Sequence, residues 1–333
     1  SFEAQGVLDL LVHESPKAQD DAQVRGLRVV ARMLAGRFAE TAGDLSSAQL
    51  ATDPAARLWE AYAETKNGHY ADAVKDFQAG LKALDQFPVE WRTRMGAAYA
   101  FAALQMKDQK TAEGMISYAV AQPSAPLDKL SAYLINAQII EASGDRLRAL
   151  KVYTAVAKAS DDGIATPAIM HAAMLELALN KTTPDKAVAQ LDTLRFRWRG
   201  DPTEIQIVAD MGQIYLNQGR YREALAVLKS GGQSFGNSPQ AVAIQTSLTQ
   251  AFRGLFLGGQ ADGLQPVEAL GLFNDYKELT PIGTDGDEMV RRIVRRLVDV
   301  DLLDQAAGLL DYQINNRLQG VGKSSVAADL AAI

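Results

Sequence analysis

The sequence predicts an all-α protein, a right-handed superhelix of antiparallel helical hairpins stacked as an α-solenoid. Three observations predict it. Prolines recur at a nearly constant period, the residues between them are helix formers without strand-like alternation, and small and large residues return at fixed offsets. Pro16, Pro54, Pro88, Pro123, Pro167, Pro202, Pro239 and Pro281 follow one another at intervals of 38, 34, 35, 44, 35, 37 and 42 residues. A proline inside a helix loses a hydrogen bond and clashes with the preceding turn, so each is expected to mark a break between helices. Pro184 and Pro266 fall between these breaks and suit a first helical turn, where the missing N–H costs nothing.

Taken in chain order, the first copy places Gly36, Ala39, Gly43 and Ala48 at the small positions, with a short second helix. The second sets Gly68 as the turn, then Tyr70, Ala73 and Phe77. A weaker copy over 92–119 is centred on Ala112, and Ala137, Ile140, Gly144, Ala149 and Tyr153 form the next. Another weak copy over 165–194 is centred on Ala187. The best-formed copy lies between Asp201 and Pro239. There Gly212 admits a neighbouring helix, Gly219 supplies the turn, Ala224 is the crossing point, and Tyr215, Tyr221 and Leu228 fill the space between helices. Beyond Pro239 the pattern loosens into helices over 238–257 and 266–278, with Ala269, Phe273 and Tyr276 in core roles. A further pair follows over 285–299 and 301–318. The connection 258–265 is longer than the period wants and is the expected place for a seam, dividing an array over 1–257 from divergent hairpins over 258–333. A last helix beginning near Ser324 is cut short, and together with the Met-less start at Ser1 this reads as a segment of a longer protein.

The small-and-large pattern of 201–239 resembles the tetratricopeptide repeat (TPR), a helix–turn–helix of about 34 residues. The resemblance covers most of the chain and is strongest in three copies. It implies a concave surface lined by the first helix of every hairpin, suited to an extended peptide or a partner helix. Aligning the copies then assigns the groove to Tyr62 and Lys66, to Gln138 and Glu141, and to Gln206, Gln213 and Asn217. The Lys- and Asn-rich clamp with which chaperone-binding TPR domains hold a C-terminal carboxylate is not matched.

Composition bounds what such an array can do. With 333 residues, 47 % hydrophobic and 22 % charged, and a mean hydropathy of −0.10, the chain has ample means to build a core. No run approaches the ~18 apolar residues of a membrane span. Zero cysteines exclude disulfides, thiolate metal sites and cysteine nucleophiles. A net charge of −6 offers a phosphate backbone no general attraction, so nucleic acid is not an expected partner. The cysteine-free, Ala-rich composition, with 20 Arg to 14 Lys, leans toward a bacterial protein of the periplasm or cell envelope.

Gly320, Gly322, Lys323 and Ser324 look like the end of a phosphate loop, but Arg317 stands where the leading glycine belongs. His13, His69 and His171 lack acidic or histidine partners at i+4, so no zinc helix or triad is seeded, and His171 is expected to pack against Met170 and Met174. Asp20 with Asp21, Asp161 with Asp162, and Asp285 with Asp287 and Glu288 stand at helix starts and read as caps. Arg291, Arg292, Arg295 and Arg296 are expected to be neutralised by Asp287, Glu288 and Asp299. Arg195, Arg197, Trp198 and Arg199 form a secondary patch that could take an acidic peptide. No catalytic residue, metal or cofactor is expected. The sequence therefore predicts a non-catalytic scaffold or adaptor for a protein or peptide partner, with homo-oligomers also possible. The alternative is an accessory superhelical segment that positions a catalytic cell-envelope domain or a regulatory effector outside the chain.

Overall fold

The computed structural model describes residues 2–197, 202–234, 239–316, 326–328 and 330–331. Among them there are helices and turns and no strand. The chain divides into two compact units, Ser1–Thr182 and Thr183–Ile333. The division falls after Thr182, and the 258–265 connection lies inside the second unit.

The first unit contains α1 (Phe2–Glu14), α2 (Ala22–Leu34), a four-residue α3 (Ala42–Leu45), α4 (Pro54–Asn67), α5 (Tyr70–Gly80), α6 (Val89–Gln105), α7 (Gln109–Ala121), α8 (Pro126–Ala142), α9 (Arg146–Val156) and α10 (Asp162–Ala178). The second contains α11 (Pro184–Arg197), α12 (Pro202–Asn217), α13 (Tyr221–Ser234), α14 (Pro239–Phe256), α15 (Pro266–Asp275), α16 (Thr284–Val298) and α17 (Leu303–Asn316). Pro54, Pro126, Pro184, Pro202, Pro239 and Pro266 each open a helix, where their fixed φ fits and no intrahelical N–H is needed. Pro167 is the exception to the expected pattern of breaks, because it lies inside α10. Helix α10 starts only five residues earlier and Asp161 already caps it through Ile164 N at 3.2 Å, so the proline removes a single second-turn bond.

Most of the helix-to-helix turns repeat one backbone device. A residue just past the first helix adopts left-handed φ at Gly36, Gly68, Lys107, Gly144, Asn180, Gly219 and Asp301. At most of these turns the next N–H bonds the carbonyl five residues back, as in His69 N to Glu64 O (2.9 Å), Asp108 N to Ala103 O (2.9 Å) and Arg220 N to Tyr215 O (2.9 Å). This closure satisfies carbonyls that the helix end would leave free and reverses the chain at once. At five of these turns the residue five positions on is a small side chain with almost no solvent contact, Ala73, Ala112, Ala149, Ala224 and Ala306, all 0 % exposed, whereas Asn180 is followed there by the exposed Asp185. Small residues there let the second helix cross the first closely. In the first copy Gly36, not Gly43, is the turn, since Gly43 lies within α3, and Thr41 occupies the crossing position.

The core is built from what those crossings bring together. Phe77 of α5 stacks on Tyr99 of α6 with ring centroids 4.9 Å apart, and Leu58 and Met95 close the space beside them. In the best-formed copy Gly212 faces Leu228, whose Cγ would stand 2.9 Å from an added Cβ, so the close approach read from the sequence is real. Helices α14 and α15 are joined by Phe252, Phe256 and Phe273, whose rings lie 4.8 to 5.7 Å apart. The long 258–265 connection between them is pinned from α16. Arg292 donates to Leu257 O at 2.7 Å, and Arg296 donates to Ala261 O at 2.9 Å and to Leu264 O. The arginine stripe is thus only partly neutralised by acids, with Glu288 taking Arg292 and Arg295 at 3.2 Å; its other work is to satisfy a loop's carbonyls.

Successive first helices touch one another, α4 with α6, α6 with α8, α8 with α10, α12 with α14 and α14 with α16. Among the described residues successive second helices make no comparable contact. Within each unit the first helices therefore form the tighter, inner side of the stack.

Candidate partner-binding face

In the second unit, Gln206, Gln213 and Asn217 project from the inner side of α12 and are exposed. They are organised in i,i+4 pairs: Gln206 Nε2 donates to Asp210 Oδ1 at 2.8 Å, and Gln213 Nε2 donates to Asn217 Oδ1 at 2.8 Å. Opposite them α14 contributes Ser247 and Gln250, and the following connection contributes Gln260. The result is an open concavity of about 450 Å³ with five carboxamides on its walls. Sequence reasoning missed the α14 side, because the repeat loosens past Pro239. The usable signal was that the neighbouring first helix must face α12 in any stack of hairpins.

In the first unit Tyr62 and Lys66 lie on the inner side of α4. Tyr62 contacts the rings of Phe38 (6.1 Å) and Trp91 (5.7 Å), and Lys66 Nζ sits 5.3 Å from the Tyr62 centroid. Burial pushes the Tyr62 hydroxyl above its ordinary pKa. Gln138 and Glu141 come together with His171 of α10 and Tyr153 of α9. Tyr153 OH donates to Glu141 Oε2 at 2.8 Å, and His171 Nδ1 lies 3.4 Å from the same oxygen. His171 Nε2 lies 3.4 Å from Gln138 Nε2, and its ring stacks on Tyr153 at 4.9 Å and 2°. Burial pushes the Glu141 carboxyl up, but bonds from His171 and Tyr153 together hold it below its usual range. Burial, then the Glu141 charge, drives the Tyr153 hydroxyl strongly upward. His171 thus has an acidic partner that no i+4 reading could show, since it comes from the preceding hairpin.

The secondary patch is only partly visible. Arg195 pairs with Asp192 at 3.1 Å and borders a cavity of about 580 Å³ beside Tyr215, Arg220 and Glu223. The side chain of Arg197 and residues Trp198 and Arg199 lie outside the described residues, as do Gly320 to Ser324. Asp21 and Asp161 act as the expected caps, Asp21 Oδ1 accepting from Gln23 N at 2.8 Å. The third acidic cluster does not cap. Gly283 holds the cap position of α16, while Asp285 pairs with Arg253 and Asp287 accepts from Gln313 at 2.8 Å.

An unanticipated acidic cluster occupies the α4–α5 hairpin. Carboxylate oxygens of Glu60, Glu64 and Asp76 all lie within 4.8 Å of one another. Arg57 reaches Glu60 at 3.0 Å and Asp76 at 3.1 Å. Burial first, then the charges of Asp76, Glu60 and Asp72, raise the Glu64 carboxyl to about 7.

Compared with known proteins, no family model matches the chain, and no curated protein matches it by sequence. Solved structures do. A tetratricopeptide repeat protein from Parabacteroides merdae ATCC 43184 superposes with a TM-score of 0.53 at 14 % identity, over 75 % of this chain and 91 % of that one. The fold is a TPR-like helical solenoid. The Rap protein complexed with competence and sporulation factor matches this solenoid with a TM-score of 0.53 at 14 % identity, over 93 % of this chain and 86 % of its own. A signal transduction ATPase with a tetratricopeptide repeat sensor from Pyrococcus horikoshii gives 0.54 at 12 % identity, and the solenoid spans 52 % of that protein's length. Among the described residues no helix is long and apolar enough to cross a membrane.

Proposed function

We propose that this solenoid is a non-catalytic interaction scaffold that holds an extended peptide or a partner helix on its inner face, at Gln206, Gln213 and Asn217. The observation that carries the reading is the carboxamide-lined concavity between α12 and α14. A carboxamide both donates and accepts, which matches a peptide backbone presenting N–H and C=O in turn. The Rap protein, whose structure holds competence and sporulation factor, shares the fold and supports a partner-binding role. Tyr62, Lys66, Gln138 and Glu141 extend the same role to the inner face of the first unit, with Arg195, Arg197, Trp198 and Arg199 as a secondary patch. In this reading the array runs over 1–257 and continues through divergent hairpins to 333, needs no cofactor, and takes a protein partner rather than nucleic acid. The match to about half of the ATPase with a repeat sensor favours a second reading, a segment that serves an effector domain outside this chain.

The test is a cross-linking pull-down from native extract with the tagged chain and its Gln213→Arg/Asn217→Arg variant side by side. Both residues are exposed, so circular dichroism of the variant is expected to match the parent. A partner captured by the parent and lost by the variant is the expected result, and equal capture would remove the groove assignment.

A further inference from the structure

Lys66 of α4 and Arg94 of α6 face the same space on the inner side of the first unit. Lys66 Nζ lies 5.3 Å from the centroid of Tyr62, and Arg94 Cζ lies 5.0 Å from that of Trp91. Those two rings meet edge to face at 5.7 Å and 84°, so the two cations stand beside adjoining rings of one aromatic cluster. Trp59 joins the cluster, 4.4 Å from Trp91. Arg94 Nε donates to Asp128 Oδ1 at 2.7 Å, a pair fixed by the burial of Asp128, whose side chain is 11 % exposed. Among the described residues no carboxylate forms an ion pair with Lys66. Two cations and one carboxylate leave a single positive charge at this spot, in a chain whose net charge is −6.

Lys66 is open to water, yet it stands in a recess among protein atoms. That crowding first, and the like charge of Arg94 second, hold its ammonium below the ordinary range. An anion placed between the two groups would relieve their repulsion and accept charge-assisted hydrogen bonds from both.

We infer that Lys66 and Arg94 form a carboxylate-binding site for a glutamate or aspartate side chain of a bound peptide, with Tyr62, Trp91 and Trp59 packing its aliphatic stem. The uncompensated charge is one, which suits a carboxylate better than a phosphate dianion. The aromatic cluster lowers the local dielectric and strengthens the pairing. The inference rests on the proposed function at Tyr62 and Lys66, for which it names the recognised group; the α12–α14 concavity takes no part in it.

The test uses the full chain and acetyl-(Glu)5-amide, with acetyl-(Gln)5-amide and inorganic phosphate as the other arms. Binding is followed through the Trp91 indole N–H resonance, identified by its loss in Trp91→Phe. The glutamate peptide is expected to shift that resonance saturably at low salt, and the glutamine peptide is not. Lys66→Gln is expected to weaken binding about tenfold, as loss of a single charge-assisted contact would. Lys66→Arg should retain it. Equal binding of the glutamine peptide, undiminished affinity in a folded Lys66→Gln variant, or tighter binding of phosphate would each overturn the assignment. Loss of partner capture without loss of glutamate binding, or the reverse, separates this site from the groove.

Discussion

Replacing Asp44 by alanine is expected to destabilise the first unit by about 3–5 kcal/mol, the size of effect seen when one partner of a buried ion cluster is removed. Asp44 is 4 % exposed, and three arginines of α2 converge on it from one face. Arg32 Nη1 lies 2.6 Å from its carboxylate, Arg28 Nε 3.5 Å and Arg25 Nη1 3.9 Å, with side chains only 12 to 16 % exposed. The spacing Arg25, Arg28, Arg32 puts all three on one helical stripe, and α3, four residues long, presents the anion to it. Without it, three cations are left half-buried beside one another. Asp20 and Asp9 compensate little, being 86 % and 50 % exposed and 3.1 and 3.9 Å from their partners. The expected reading is a fall of about 10 °C in the first-unit transition, with hydrogen exchange accelerated across 22–45. Asp44→Asn should fall between parent and alanine, since it keeps hydrogen bonds and loses the charge. An Asp44→Ala protein that melts with the parent would show that the α2–α3 contact carries no stability.

The second large effect is a gain. Glu64→Gln is expected to stabilise the first unit at pH 8 and to leave it unchanged at pH 4. In the fold the Glu64 carboxyl titrates near 7, against an ordinary value of 4.5. Below the unfolded value both states carry the proton, and the cluster is at its most stable. As pH rises through 7 the folded state gives up its proton, and three carboxylates then share Arg57. Stability is therefore lost between about pH 4.5 and 7 on account of this group. A neutral amide avoids the loss, and at pH 8 the gain should be about 1–2 kcal/mol once solvent screening of a partly exposed group is allowed for. Thermal melts of parent and variant from pH 4 to pH 8 check this. Parallel curves would mean that Glu64 does not titrate in that window.

Much of the fold was legible because one backbone device recurs. The left-handed turn followed by an alanine five residues later is readable wherever the turn is glycine, as at Gly68, Gly144 and Gly219. It is hidden at Lys107 and Asp301, where the same conformation is held by residues whose identity does not advertise it. Pro167 misled for the opposite reason: the residue advertises a break, but near a helix start its cost is one hydrogen bond. The inner-face residues of α12 were legible by aligning copies, whereas their neighbours on α14 were not. His171 with Glu141, Arg94 with Asp128, and Arg296 with the 261–264 carbonyls join residues about one repeat apart in sequence. Such pairings follow from the stacking of hairpins, and spacing within a single helix carries no trace of them. The Glu60, Glu64 and Asp76 cluster was missed in the same way, since it needs both helices of a hairpin to assemble.

The central claim is that a partner lies along the first helices, and hydrogen exchange on the captured complex tests it most directly. Slowed exchange in α12 and α14 with α13 and α15 unchanged is the predicted outcome. Protection confined to α13 and α15 would place the partner on the opposite side and contradict the account.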